Sequence, residues 1–134
     1  MDLGEAVIVA GIGCRSHIDA RDIEAAIEAA LRQWRLSAEL LTLIAIPVRK
    51  AGEPGIFAAA AARGVGLVLI PQSALEAAGE RTLTRSIRSL ATMNVHSVAE
   101  ASALAGAGAT ARLLGPRIAT GSVTCALAKI EVLP

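Results

Sequence analysis

The feature that most constrains the fold of this chain is the alternation of short apolar runs with helically patterned segments. Residues 6–10, 40–46 and 66–70 are apolar and partly β-branched, which is typical of buried strands. The segment after Asp19 instead spaces its apolar residues three and four positions apart, which predicts an amphipathic helix with Asp19 as N-cap. This alternation predicts a single three-layer α/β/α domain over residues 1–134, with a largely parallel or mixed sheet of about five strands.

Further elements complete this arrangement. Residues 111–114 and 123–132 predict the last two strands. Ser73–Glu76 and Ser97–Glu100 both have the spacing of a capping box, in which the serine and the glutamate satisfy each other's backbone amides. Each box therefore predicts the start of a helix. A shorter helix is expected between residues 82 and 93.

The composition determines what the core is made of. Trp34 and Phe57 are the only aromatic residues, although 54% of the chain is hydrophobic. The core must therefore consist mainly of Ala, Leu, Ile and Val, and such small side chains favour helices packed closely against a sheet. The scarcity of rings and the net charge of +1 also argue against nucleic-acid binding, which relies on stacking and on basic surfaces.

Signals for export or membrane insertion are not found in the sequence. Residues 1–5 are acidic where a signal peptide is basic. Charged residues interrupt each apolar stretch well before the roughly 18 residues that a membrane-spanning helix needs. Cys14 and Cys125 do not form the dense framework of a secreted disulfide protein. A cytoplasmic protein without a membrane segment is expected.

The residues that follow the first predicted strand have the composition of an anion site. Gly11 and Gly13 precede Cys14 and Arg15, and a patterned helix comes next. We expect a flexible turn here, with the positive N-terminal end of the following helix directed at the same place. Such a place suits an anion, above all a carboxylate.

Two other loops at predicted strand ends also carry charges. Residues 48–55 contain Lys50 and Glu53, and residues 115–122 contain Arg117. Ligands of open α/β sheets bind beyond the carboxyl ends of strands, so these charges predict a ligand site. The alternative is that each cation is a solvated surface charge.

Metal and cofactor sites are not predicted. A dinucleotide site would need a glycine where Ser16 stands and an acidic residue after the second strand. A zinc site would require Cys14, His17, His96 and Cys125 to converge, but their spacing lacks compact ligand pairs. Two alternatives stay open: Cys14 is a catalytic thiol or a small buried hydrophobe, and the two glycines contact a ligand or serve close packing.

Six segments, in order along nearly the whole chain, resemble the family formed by CobE and the carboxy-terminal domain of CbiG, from cobalamin biosynthesis. These segments are Gly11–Arg15, Lys50–Gly55, Ser73–Leu75, Ser97–Ala101, Leu113–Arg117 and Thr124–Ala128. The chain departs from the family pattern at Ser16, where a second basic residue is common, at Val48, where an acid is common, and in the less basic loop 118–121. These departures leave fewer charges for ligand contact.

The resemblance implies work on corrin-ring intermediates, which carry acetate and propionate side chains. The planar guanidinium of Arg15 suits a bidentate grip on a carboxylate, and Lys50 and Arg117 suit further carboxylates. Glu53 is expected either to accept from a ligand nitrogen or to anchor Lys50. The predicted ligand-binding residues are Gly11, Gly13, Cys14, Arg15, Lys50, Glu53 and Arg117, and the candidate catalytic residues are Cys14 and Glu53.

Three functions stay open at this point. The first is a non-catalytic module that shelters a corrin intermediate and presents it to other enzymes of the pathway. The second resembles the activity attributed to CbiG, in which the δ-lactone of cobalt-precorrin-5A is hydrolysed and an aldehyde is released. No acid–base pair or triad is evident, which favours the carrier. The third is a protein-binding scaffold that uses the alanine-rich helices at 56–62 and 98–107. Homo-oligomerisation and the presence of cobalt in the ligand also stay open.

Overall fold

A mixed β-sheet with helices on both faces forms the centre of the computed structural model, which describes residues 6–131. The strands within that range are β1 (Ala6–Cys14), β2 (Leu41–Pro47), β3 (Gly66–Ile70), β4 (Arg112–Leu113), β5 (Ile118–Thr120) and β6 (Val123–Glu131). The α-helices there are α1 (Ala20–Gln33), α2 (Pro54–Arg63), α3 (Gln72–Gly79), α4 (Ile87–Met93) and α5 (Val98–Ala107). Short 3-10 turns at Ala38–Leu40 and Val48–Lys50 flank β2.

The strand order places the C-terminal end of β1 beside the N-terminal end of β6. The order is β3-β2-β1-β6-β4, and β5 pairs with the first residues of β6. Strands β1, β2 and β3 are parallel, whereas β6 runs antiparallel to β1. Cys14 at the end of β1 is therefore paired with Val123 at the start of β6. The sheet is mixed and has a sixth strand, because residues 118–120 form β5 where a loop was predicted.

Helices on the two faces confirm the predicted three-layer fold. Alternate residues of β1 enter two separate clusters: Ile8 and Ile12 pack with α1 and α2, whereas Val9 packs with α3 and α5. The residues that form these clusters are almost all Ala, Ile, Leu and Val, as the composition predicted. The inner side of α5 is alanine-rich, which lets this helix approach the sheet closely.

Gly11 and Gly13 lie inside β1, so the predicted flexible turn is wrong. The strand continues to Cys14 because its antiparallel pairing with β6 runs without interruption from Ala6 to Cys14. Helix α5 packs so tightly on Gly11 that a Cβ atom there would collide with main-chain atoms of Ala99. The close-packing alternative therefore describes Gly11.

Both predicted capping boxes mark helices that are present, but among the described residues neither box forms its reciprocal pair of hydrogen bonds. Ser97 caps α5, since its hydroxyl accepts the main-chain N–H of Glu100 at 3.3 Å. The box at Ser73 is wrong, because α3 begins earlier, at Gln72 directly after Pro71. There the side-chain amide of Gln72 donates to the carboxylate of Glu76 at 2.9 Å.

Two further predicted features are present in the structure. Asp19 is the N-cap residue of α1, although its side chain makes no capping hydrogen bond with any described residue. The short helix expected between residues 82 and 93 is α4. The expectations for residues 1–5 and 132 lie outside the described residues. Among residues 6–131, no helix has the length and apolar character needed to cross a bilayer.

Candidate ligand-binding site

A cavity of about 460 Å³ lies at the edge of the sheet where β1 ends and β6 begins. Residues of α4 form one side, and Val98, the first residue of α5, also lines the cavity. Lys50, in the turn that follows β2, and Arg117, directly before β5, line the cavity as well. The lining residues are Ile12, Gly13, Cys14, Lys50, Ser86, Arg88, Ser89, Thr92, Met93, Val98, Arg117, Ser122 and Thr124.

The lining is cationic and rich in hydroxyl groups. Lys50, Arg88 and Arg117 come from three different segments of the chain. Five lining residues carry hydroxyls, and none of the described lining residues is acidic. Such a surface favours an anionic ligand with several hydrogen-bond acceptors, because cations and hydroxyl donors both bind carboxylate oxygens.

The parallel pairing of β1 with β2 brings Cys14 and Lys50 into the same cavity. Cys14 ends β1, and Lys50 ends the 3-10 turn that follows β2. Burial raises the pKa of the half-buried Cys14 thiol, while the positive charge of Lys50 lowers it and the negative charge of Glu53 raises it. The net pKa lies above the ordinary value of 9.0, so the thiol is protonated near neutral pH.

A buried carboxylate supports the wall that contains Arg117. Glu100, in the first turn of α5, is 0% exposed. Its Oε1 atom accepts the main-chain N–H groups of Leu83 and Thr84, and its Oε2 atom accepts the Thr84 hydroxyl and the main-chain N–H of Arg117. Burial by itself raises the pKa of Glu100, but these hydrogen bonds outweigh it and hold the pKa below its ordinary value of 4.5.

Helix α4 forms the most exposed wall of the cavity. None of its residues, all of which the structure describes, is buried, and Ile87 is 83% exposed. Its C-terminal end is held by the side chain of Gln72, whose Nε2 donates to the carbonyl of Met93 at 3.0 Å. Arg49 donates to the carbonyl of Thr92 at 3.3 Å. These contacts anchor the helix at its C-terminal end.

One buried polar atom of α4 has no hydrogen-bond partner among the residues that the structure describes. The hydroxyl of Ser89 is buried and makes no hydrogen bond with any described residue, although Ser89 lines the cavity. A buried hydroxyl without a partner is costly, and a ligand acceptor would relieve that cost.

The comparison with protein families identifies the chain. The family described as the cobalamin synthesis G C-terminus matches residues 8–128. The chain belongs to this CbiG C-terminal family. It is thus a protein of the cobalamin biosynthetic pathway, and the resemblance inferred from its sequence is confirmed.

Named relatives match this chain over most of their own length, and two solved structures share its fold. The protein CobE from Sinorhizobium sp is 35% identical over 92% of this chain and 80% of its own length. A crystal structure of CobE from the cobalamin biosynthetic pathway superposes with a TM-score of 0.89, at 31% identity, over 97% of this chain and 95% of that one. The cobalamin biosynthesis protein chiG from Agrobacterium tumefaciens gives 0.73 at 42% identity, over 91% of this chain and 97% of that one.

Four residues predicted to bind a ligand in this CbiG C-terminal family protein line the cavity: Gly13, Cys14, Lys50 and Arg117. Gly11 instead lies buried beneath α5. The structure brings together residues from all three predicted loops, because the parallel strands and the antiparallel β6 place those loops at one edge of the sheet.

Arg15 and Glu53 lie outside the set of described lining residues. Arg15 is exposed and makes no hydrogen bond or ion pair with other described residues. Glu53 accepts the main-chain N–H of His17 at 2.8 Å, so it anchors the loop after Cys14. The sequence predicted that Glu53 would either accept from a ligand nitrogen or anchor Lys50.

The helix end that faces the cavity also differs from the expectation. We expected the N-terminus of α1, but α1 packs in the opposite helical layer. Val98, the first residue of α5, lines the cavity instead, and a Cβ atom on Gly13 would lie 3.6 Å from the main-chain nitrogen of Ala99. The helix that follows Cys14 in sequence is therefore not the one that adjoins it at the site.

The sequence analysis missed the contribution of α4. Arg88, Ser89 and Thr92 enter the cavity from a segment that was predicted only as a short helix. The spacing of three between Ser86, Ser89 and Thr92 is the available signal, since it places these hydroxyls on one face of a helix.

The four residues weighed for zinc do not form a cluster. Among the described residues, no group of three or more His, Cys, Asp or Glu side chains is placed to hold a metal ion. Cys125 is fully buried in the core, and burial raises its pKa to about 12. Cys125 is a packed apolar side chain rather than a ligand or a nucleophile.

Proposed function

We propose that this protein binds a carboxylate-rich corrin-ring intermediate of the cobalamin pathway and acts as a carrier or accessory module. The observation that supports this most is the cavity at the edge of the sheet. Lys50, Arg88 and Arg117 converge on it from separate segments, and none of the described lining residues is a carboxylate that would neutralise them.

The chemistry of a corrin intermediate complements this cavity. Its acetate and propionate groups are carboxylates, which lysine and arginine side chains bind through charge-assisted hydrogen bonds. The hydroxyls of Ser86, Ser89 and Thr92 supply neutral donors beside the cations. Ile12 and Met93 offer apolar contact to the macrocycle, and the volume of about 460 Å³ is typical of ligand pockets.

A carrier fits the cavity better than a hydrolase does. General acid–base catalysis most often uses an imidazole or a carboxylate close to the reacting atoms, and the described lining residues include neither. The Cys14 thiol is protonated near neutral pH, because burial raises its pKa, and a thiol is a weak nucleophile. Binding, shielding and transfer to another pathway enzyme need none of these groups.

The proposal is tested by titration with a stable corrin. Cobyrinic acid, which keeps its free carboxyl groups, is expected to bind with a shift of its visible absorption. Cobinamide, in which these groups are amidated, is expected to bind at least about tenfold more weakly, since charge-assisted hydrogen bonds are lost. Equal affinity for both corrins, or no binding of cobyrinic acid, would refute an anion-binding carrier.

Variants connect this binding to the cavity. Lys50→Ala and Arg88→Ala are each expected to weaken cobyrinic acid binding by about tenfold. Arg21→Ala, on the exposed face of α1, is the matched control and should bind like the wild type. Arg15→Ala tests whether the exposed guanidinium beside Cys14 is an outer contact, and a measurable loss of affinity supports that role.

The lactone-opening alternative has its own test. The purified protein is incubated with cobalt-precorrin-5A, and the release of an aldehyde is measured. We expect no turnover. Aldehyde release that is abolished in Cys14→Ser or Glu53→Gln would replace the carrier with a hydrolase.

A further inference from the structure

The buried carboxylate of Glu100 links two segments that flank the cavity. Its Oε1 atom accepts main-chain N–H groups of the segment that leads into α4, and its Oε2 atom accepts the main-chain N–H of Arg117 at 2.9 Å. The side chain of Arg117 lines the cavity at the same time. The carboxylate therefore holds the main chain from which a cation of the site projects.

Helix capping does not account for this carboxylate. In a capping box, the glutamate returns to the N–H of the capping serine. Here the Ser97 hydroxyl accepts the Glu100 N–H, while the carboxylate bonds to Leu83, Thr84 and Arg117, which lie 16 or 17 positions away. Burying a charge is costly unless it is hydrogen-bonded. The buried carboxylate therefore favours the conformation in which both segments keep their N–H groups directed at it.

We propose that Glu100 is a positioning residue of the ligand site, which fixes Arg117 for contact with the anionic groups of the ligand. The inference rests on the proposed function, since it concerns how the same cavity binds an anion. Glu100 does not line the cavity and acts through the Arg117 main chain.

A near-isosteric substitution separates this role from packing. In Glu100→Gln, the amide oxygen still accepts the N–H groups of Leu83 and Thr84, while the amide NH₂ faces the Arg117 N–H. Two donors then oppose each other, so Arg117 is displaced. The Thr84 hydroxyl avoids this conflict, because it can rotate and accept from the amide.

The control is Thr84→Val, which removes one donor to the same Oε2 atom but keeps the Arg117 N–H bond. Both variants lose stability, since each weakens the hydrogen bonding of a buried carboxylate. Only Glu100→Gln is expected to lose ligand affinity. Comparing the two therefore separates a loss of folding stability from a displacement of Arg117.

The experiment is a double-mutant cycle with cobyrinic acid as the probe. Glu100→Gln and Arg117→Ala are each expected to weaken binding by about tenfold, and Thr84→Val by less than about twofold. The double variant Glu100→Gln with Arg117→Ala should bind no more than about twofold more weakly than Arg117→Ala alone, because both changes remove the same contact.

Each other outcome overturns the inference. Wild-type affinity in Glu100→Gln, fully additive losses in the double variant, or an equal loss in Thr84→Val would each show that Glu100 does not act through Arg117. Should Glu100→Gln fail to fold, Pro116→Gly is the substitute, since it loosens the main chain beside Arg117 and leaves Glu100 intact. The loss of cobyrinic acid affinity that it causes must likewise vanish in the Arg117→Ala background.

Failure of the proposed carrier function can be distinguished from failure of the inference about Glu100. If the wild-type protein does not bind cobyrinic acid, the carrier is refuted, and hydrogen exchange of the ligand-free protein then decides the role of Glu100. Faster exchange at the Arg117 amide in Glu100→Gln than in Thr84→Val supports the positioning role, and equal exchange overturns it.

Discussion

A Cβ atom at Gly11 would lie 2.0 Å from the carbonyl oxygen of Ala99 and 2.5 Å from the main-chain nitrogen of Ala103. Strand β1 and helix α5 therefore approach each other too closely for a side chain at position 11. The approach matters for the site, since it places the first residue of α5 beside the end of β1. Gly11 thus permits the close packing that places α5 at the cavity, although Gly11 itself does not line it.

The first prediction concerns this contact. Gly11→Ala should lower the free energy of unfolding by about 3 kcal/mol or more, because the methyl group meets main-chain atoms that cannot move without shifting α5. Urea denaturation measures the change. Gly52→Ala is the matched control, since no described atom lies within 4 Å of the added carbon, and it should change stability by less than about 0.5 kcal/mol. Equal stabilities would contradict the close contact.

The second prediction concerns Glu53. Its Oε1 atom accepts the N–H of His17, whose φ of 62° is a conformation that non-glycine residues rarely adopt. Glu53→Ala should lower stability by about 1 kcal/mol and speed hydrogen exchange over residues 15–19. Glu53→Gln keeps an oxygen that accepts this hydrogen bond, so it should behave like the wild type. If both variants are equally impaired, the charge of Glu53 matters more than the bond.

The third prediction concerns stability at acid pH. The pKa of Glu100 in the folded protein is lower than its ordinary value of 4.5, which is the value expected after unfolding. The ionised carboxylate therefore stabilises the fold above about pH 4.5, and this contribution is lost as the pH falls through the folded-state pKa. Urea denaturation between about pH 6 and pH 3 should show a flatter decline for Glu100→Gln than for the wild type.

The control for this pH dependence is Glu76→Gln. Hydrogen bonds from Gln72 and Asn94 lower the pKa of Glu76, but its carboxylate is exposed to solvent. Its contribution to the slope should therefore be much smaller than that of Glu100. Identical slopes in the two variants and the wild type would show that the Glu100 carboxylate does not contribute.

The fourth prediction concerns the two thiols. Iodoacetamide should label Cys14 in the folded protein and leave Cys125 unmodified, since Cys125 is fully buried with a pKa of about 12. Labelling of Cys14 should be slow near neutral pH and rise as the pH approaches and exceeds 9.0. Mass spectrometry of peptides measures both sites.

Lys50 should influence this reactivity. Its positive charge lowers the Cys14 pKa, so Lys50→Ala should raise that pKa further and slow labelling at about pH 8. Arg32→Ala, at the far end of α1, serves as the control. Faster labelling in Lys50→Ala would mean that the lysine shields the thiol rather than activating it.

Much of the fold could be predicted from local patterns. Apolar runs located β2 and β3, helical spacing located α1, and the capping box located α5, each to within a residue or two. The serine at position 97 marked the start of α5, because capping chemistry is decided within one turn of helix. The family resemblance also lay in short segments whose residues can be recognised without a structure.

Other features escaped sequence reasoning because their partners are distant in the chain. Strand β5 is too short to show a period and is formed by pairing with β6. The glycines before Cys14 suggested a turn, but they extend β1 because β6 supplies hydrogen-bond partners to its last residue. Glu100 matched a capping box, but its carboxylate accepts hydrogen bonds from Thr84 and Arg117, which are distant in the chain.

The amino-acid order was sufficient to determine the layered α/β class, the aliphatic core and the strand-end loops that carry Cys14, Lys50 and Arg117, because these depend on spacing and residue type along the chain. Folding in three dimensions decided which groups meet. It brought α4 and its Arg88 to the cavity, left Arg15 outside the lining, and turned Glu53 towards His17. Those outcomes depend on the antiparallel placement of β6 and on the close approach of α5, contacts between residues that no local pattern connects.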